Sequence, residues 1–296
     1  MASASHAPAT PPNLLGLQLG MVITLAVMVA ELVVGSYAHS LALLADAGHM
    51  ASDAAALGLT LIAFRIARQP ASRTKTYGYY RTEILAAFLN GLALWLLVGI
   101  VCYQAVERLL HPPAVKAVPM LITAVAGLIA NVFCGWLLLR TKGANLNLHG
   151  AFLHVVADTL GSVSVVGAGV IMWATGWTSA DPVASLIVCV IIIIGSWHLV
   201  AQSVNVLLEG SPAHLDVPTV MRAMRQVPGV KAVHDVHIWT ITSGMEAMSA
   251  HVVMEDLQAG QQLLARLNDL LQSQFHIRHT TLQLESPNLK STESRH

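Results

Sequence analysis

Residues 41–64 read LALLADAGHMASDAAALGLTLIAF, a run long enough to cross a bilayer that nonetheless carries Asp46, His49 and Asp53. A spanning helix needs about 20 largely apolar residues. A charged side chain at the bilayer centre costs about 2.5–3.5 kcal/mol on insertion scales, so an ionisable residue there marks pairing or function. Spaced i, i+4, His49 and Asp53 share one face of a helix.

The spacing recurs in a second apolar run, residues 152–173, as His154 and Asp158. Brought together, the two faces offer two imidazoles and two carboxylates. Four N/O ligands suit zinc, and two carboxylates balance a divalent charge. No thiolate or thioether favours Cu(I), and two carboxylates are too few for magnesium or calcium. Without metal, each pair would be interhelical hydrogen-bond glue or a proton relay. Asp46, one turn before His49, could lie on an ion path or at the interface, and Glu31 is equally open. Asn131 is expected to join helices rather than ligate metal.

The whole chain agrees with a membrane class. Of its 296 residues 55% are hydrophobic and 11% charged, against about 25% charged in an ordinary soluble domain. Formal net charge is zero, which leaves nucleic acid without an electrostatic footprint and anionic lipid without a polybasic tail. Cys102, Cys134 and Cys189 all sit in apolar runs without paired spacing, so neither a disulfide framework nor a thiolate cluster is expected.

Six segments qualify as spans: 14–34, 41–64, 84–106, 118–139, 152–173 and 183–207. Turn formers such as Gly35-Ser36, Gln69-Pro70 and Pro112-Pro113 separate them. Arg65, Arg68, Arg73, Lys75 and Arg81 follow the second span, and Arg140 and Lys142 the fourth, whereas the connections after spans one and five hold no Lys or Arg. Positive residues favour the cytosolic side. A multi-pass cell-membrane protein with both termini cytosolic is therefore expected, in the inner membrane if bacterial.

Met1 to Asn13 reads as a disordered leader, residues 14–211 as a transmembrane transport domain and 212–287 as a soluble domain, with a disordered tail from 288. In the soluble part a helix (217–227), strands at 231–242 and 248–254 about Ser243-Gly244, an amphipathic helix (261–275) and a strand (280–284) make an αββαβ order. The fold class expected is an all-α six-helix transmembrane bundle plus a small C-terminal α+β ferredoxin-like cytosolic domain.

These residues resemble the zinc-type members of the cation diffusion facilitator family. The resemblance rests on HSLALLADAGHMASDAAAL, YGYYRTEILAAFLNG, HGAFLHVVADTLGSVSVV, DPVASLIV and VNVLLEGSP, then on VHDVHIW and SAHVV. It implies a homodimer that exchanges cytosolic divalent metal for protons, with His49, Asp53, His154 and Asp158 as the transport site and a His at the first position selecting zinc. It further implies a cytosolic-domain metal site from His234, His251, His279 and Glu285, where His276 could replace His279. His237, opposite His234 in strand parity, is not expected to share that site, and Trp239 is expected in packing. The segment from Arg65 to Arg81 holds no His or Asp, and the connection from Thr141 to Leu148 has no His-rich insert, so the extra loop sites of some members are not expected.

The resulting expectation is proton-coupled zinc efflux by alternating access, with zinc as substrate and as a regulatory ligand of the C-terminal domain. Ligands must lose their protons to bind metal, and histidine changes charge between about pH 5 and 8. No organic cofactor is expected. A broader cobalt, cadmium or iron exporter is the alternative, and a non-transporting metal sensor the rival of another class. An HExxH protease needs a glutamate after the first histidine, but Met50 follows His49 and Val155 follows His154, so the protein is not expected to be an enzyme.

Overall fold

The computed structural model describes residues 14–67, 69, 71–140, 147–255 and 259–286, with side chains at 14–19, 57, 60, 61, 64, 137–140 and 147–155 outside the described set. The expected leader and the tail from 288 lie outside the described residues. Six long helices come first: α1 (Leu14–Ala38), α2 (Leu41–Ala67), α3 (Thr82–Leu110), α4 (Ala117–Arg140), α5 (Asn147–Thr175) and α6 (Ala180–Leu207). Then follow α7 (Val217–Arg225), β1 (Val230–Thr242), β2 (Met245–Met254), α8 (Gly260–Phe275) and β3 (His279–Glu285).

At about 1.5 Å per residue the long helices exceed the roughly 30 Å hydrocarbon core. Among the described residues five are long and apolar enough to cross a membrane. The sixth, α2, has the length at 27 residues, but Asp46, His49 and Asp53 interrupt its apolar run. Each helix outlasts its apolar run; α5 starts at Asn147 rather than Phe152, because polar residues extend a helix once its core-facing turns are packed.

The chain forms two compact units, residues 1–59 with 89–199, and 60–88 with 200–296. In the first, Leu41, Leu94, Val98, Met120, Val165, Met172, Val188 and Ile192 belong to one buried cluster drawn from α2 to α6. Small residues set the close approaches, as in membrane helix pairs generally: a Cβ on Gly48 would stand 2.9 Å from Leu97 of α3, and one on Gly127 2.6 Å from Glu31 Oε1 of α1.

Hydrogen bonds between side chains join the same helices. Asn131 Nδ2 donates to Ser162 Oγ at 2.9 Å, joining α4 to α5, and Trp95 Nε1 donates to Ser196 Oγ at 3.0 Å, joining α3 to α6. Asp181, fully buried at the start of α6, accepts the backbone N–H of Leu41 at 2.7 Å and of Ala42 at 3.2 Å, together with the Ser40 hydroxyl at 2.6 Å. It thus caps α2 from another helix, satisfying donors a helix start leaves open, with Arg108 Nη1 3.6 Å away. All three cysteines are free.

In the second unit the strands lie in the order β1-β2-β3, β1 antiparallel and β3 parallel to β2. Val220 and Met224 of α7 and Leu263, Leu267 and Leu271 of α8 pack on Val233, Ile238, Met248 and Val252. Asp216 caps α7 through Thr219 N. Trp239 is half-buried and lines a cleft with Tyr77, Tyr80 and Ile241.

The register of β1 on β2 departs from regular alternation. His234 pairs with His251 and His237 with Ser249, three residues of β1 against two of β2. Asp235, at φ 49°, is the extra residue, and asparagine and aspartate tolerate that left-handed conformation better than most. The bulge corrects the parity argument: His234 and His237 both face the side of His251 and Ser249.

Candidate metal centres

The first centre lies in the first unit, where α2 meets α5. Nε2 of His49 is 3.3 Å from Asp158 Oδ1 and 3.7 Å from Asp53 Oδ2. Ligand atoms of His49, Asp53 and Asp158 all lie within 4.8 Å of one another, and the three residues are half-buried. Ions such as zinc bind N and O ligands at about 2.0–2.2 Å, which puts tetrahedral ligand atoms about 3.3–3.6 Å apart. These spacings fit with little adjustment. His154 is one turn before Asp158 on α5, and its side chain lies outside the described residues.

Around this centre the helices carry further polar groups. Ser52, between His49 and Asp53, donates to Asn90 Oδ1 of α3 at 3.3 Å. Asp46 is 4% exposed, and a Cβ on Gly161 of α5 would stand 3.9 Å from its Oδ1. Glu31 on α1 is 1% exposed. Both carboxyls that the sequence left open are buried within the protein.

The second centre lies in the C-terminal sheet. Glu285 Oε2 is 3.2 Å from His234 Nε2 and Glu285 Oε1 is 2.7 Å from His251 Nδ1. The two rings stand 5.3 Å apart, tilted by 58°. Candidate ligand atoms of all three residues again fall within 4.8 Å of one another. Two imidazoles and a carboxylate make a zinc-like donor set with a fourth position open.

Burial pushes the Glu285 carboxyl up, but hydrogen bonds with Gln283, His234 and His251, and the charge of His251, together hold it below the usual carboxylate range. The bulge residue Asp235 adds a further carboxylate, 3.0 Å from His237 Nε2 and 3.8 Å from His251 Nε2.

His279 does not join this centre within one chain. It opens β3 opposite Ala247, whereas His251 pairs with Gln283 further along the strand. Six residues at about 3.3 Å each separate it from Glu285 by roughly 20 Å. His276, which caps α8 at φ 59°, is exposed and outside the cluster. Sequence reasoning did not identify Asp235; HDVH offered a signal, since aspartate favours positive φ, but only the pairing with β2 shows the bulge.

Residues 17–208 match a family described as the cation efflux transmembrane domain, and residues 212–287 one described as the cation efflux protein, cytoplasmic domain. The chain belongs to the cation efflux family. Among its relatives, the cadmium, cobalt and zinc/H(+)-K(+) antiporter of Bacillus velezensis is 38% identical over 95% of this chain and 91% of its own length. The zinc transporter ZitB of Escherichia coli is 40% identical over 89% of this chain and 84% of its own. The metal cation efflux system protein CzcD of Cupriavidus metallidurans is 38% identical over 91% and 85%. A solved structure, the metal-bound C-terminal domain of the CzcD transporter from Cuprividus metallidurans, is 36% identical over 24% of this chain and 99% of its own, with a TM-score of 0.23. A multi-pass membrane protein of this family accounts for the six long helices and the appended α+β domain.

Proposed function

We propose that this chain exports zinc from the cytosol in exchange for protons, at an intramembrane site formed by His49, Asp53, His154 and Asp158. The single observation that carries the reading is the 3.3 Å approach of His49 to Asp158 from two different helices, with Asp53 completing a compact N/O set. Two carboxylates offset the ion's charge, and the imidazole of His49 adds the nitrogen preference of zinc.

In the cycle proposed, the ligands open to the cytosol give up their protons to bind the ion, and protons displace it when the site opens to the other face. The same atoms bind both, which couples the two flows. Residues 14–211 would carry transport, with both termini cytosolic by the distribution of arginine and lysine. Residues 212–287 would take metal at His234, His251 and Glu285, the fourth position being left to water or a second protomer, and would tighten a homodimer as cytosolic zinc rises.

A broader substrate range is the second reading, favoured by relatives whose names include cadmium and cobalt beside zinc. Zinc flux into proteoliposomes along an opposed pH gradient tests the first reading. Asp53→Ala and Asp158→Ala should each abolish flux, and unchanged flux in both would remove the site. Cadmium or cobalt competing with zinc on equal terms would select the second reading.

A further inference from the structure

Glu31 is the one carboxyl of α1. It is 1% exposed, and its Oε2 is buried without a hydrogen-bond partner among the described residues. The other oxygen rests on α4, where a Cβ at Gly127 would come within 2.6 Å of it and Val27 of α1 closes the same space. A glycine is what leaves room for this carboxyl between the two helices. An ionised carboxylate buried without a partner costs far more than one in water, so something positive must bind it for at least part of the time. A metal cation would need several oxygens in its shell, and what closes on this oxygen is the apolar Val27 and a glycine. A proton needs only one.

We propose that Glu31 is a proton-binding site distinct from the metal ligands, which releases its proton when metal enters the transport site and recovers it when metal leaves. The inference rests on the zinc–proton exchange proposed above. The bond made and broken is the carboxyl O–H alone, and the proton passes to and from water on the side open at that moment. Among the described residues, the titratable group whose charge acts on Glu31 from a neighbouring helix is Asp46 of α2. From α4 the neighbours are Gly127 and, about two turns or more toward the start of α1, Cys134, which lies against Thr24 and Gly20.

Asp46 is what connects Glu31 to the transport site. Its carboxyl lies against α5, where a Cβ on Gly161 would stand 3.9 Å from its Oδ1; the next residue, Ser162, receives Asn131 Nδ2 at 2.9 Å and lies one turn beyond Asp158, while Asp46 lies one turn before His49. α1 in turn packs on α2, where a Cβ on Gly35, one turn beyond Glu31, would stand 3.1 Å from Leu43 Cβ, one turn before Asp46. A divalent ion arriving at His49 and Asp158 adds positive charge near these carboxyls, which favours the carboxylate form of Glu31. Its departure favours the acid. The coupling needs charge only, with no movement of Glu31.

The test uses the full-length protein in proteoliposomes with a pH dye and a zinc dye inside, and D53A as the variant that abolishes exchange at the metal ligands. E31Q should still carry zinc but move one proton fewer per zinc ion than wild type, and its zinc uptake should lose a ten-fold dependence per pH unit. The same proton count and pH profile as wild type would overturn the proposal, since a residue that only packs α1 on α4 could alter rate or stability but not stoichiometry. Should E31Q fail to insert, E31D keeps the carboxyl one methylene back from Gly127. It should retain the proton count while its pH profile shifts, and an unshifted profile would overturn the proposal. Wild type that moves zinc without any protons would instead refute the exchange reading itself.

Discussion

Glu285 Oε1 and His251 Nδ1 meet at 2.7 Å across β3 and β2, although 34 residues separate them in the chain. Because the hydrogen bonds of Gln283, His234 and His251 outweigh burial and lower the Glu285 pKa from its ordinary 4.5, the carboxylate adds stability that is fully present above that value. It is lost as pH falls through the lowered one. In metal-free protein, Glu285→Gln should cost about 1 kcal/mol or more at neutral pH, the gap between charged and neutral hydrogen bonds. Hydrogen exchange of the sheet amides should show wild type and variant converging below about pH 4.5; a gap unchanged down to pH 3 would refute this account.

His234 and His279 should behave differently toward metal. His234→Ala removes a group 3.2 Å from Glu285 and should weaken zinc binding by more than about 10-fold, the lower end of what losing even an indirect partner costs a metal site. His279→Ala should leave the affinity unchanged in the monomer. Calorimetry on full-length protein carrying Asp53→Ala, which silences the intramembrane site, reads both.

Selectivity should reside in His49. Replacing it with Asp exchanges an imidazole for a harder oxygen ligand, so zinc should lose its advantage over manganese in competition flux assays, by at least several-fold. Selectivity identical to wild type would assign the preference elsewhere.

Gly127 and Glu31 should be energetically coupled. Gly127→Ala drives a methyl to 2.6 Å from Oε1 and should cost about 1–3 kcal/mol as overpacking. With Glu31→Ala in place the same substitution should cost less, giving a coupling of about 0.5–3 kcal/mol in a double-mutant cycle on thermal unfolding in detergent.

Asp181→Ala withdraws the acceptor shared by Ser40, Leu41 and Ala42. Buried donors left unsatisfied cost about 1–3 kcal/mol, so the unfolding midpoint should fall, with Asp181→Asn intermediate because its remaining oxygen still accepts. Equal midpoints for all three proteins would mean that water replaces the cap.

The helices, the αββαβ order and the pairing of His49 with Asp53 were legible because each follows from periodicity within one element. What joins elements was harder to read. Nothing local to Asp181 announces that it caps a helix 140 residues earlier. Parity counting along β1 misplaced His237, because a bulge exists only relative to a partner strand and β2 supplies two residues where β1 supplies three. His279 was grouped with Glu285 by the family resemblance, but the parallel register sets them at opposite ends of β3. Glu31 stayed ambiguous because its burial depends on the missing side chain of Gly127.

The tether between Asp181 and the first turn of α2 fixes that end of the helix. His49 and Asp53 stand about 12 and 18 Å from Leu41 along its axis, so a swing of about 10° would carry Asp53 about 3 Å and His49 about 2 Å. Those arcs match or exceed the length of a metal–ligand bond, while the fulcrum itself barely stirs. In the exchange cycle proposed above, a rotation small enough to leave the anchored end undisturbed would assemble and disperse the ligand set.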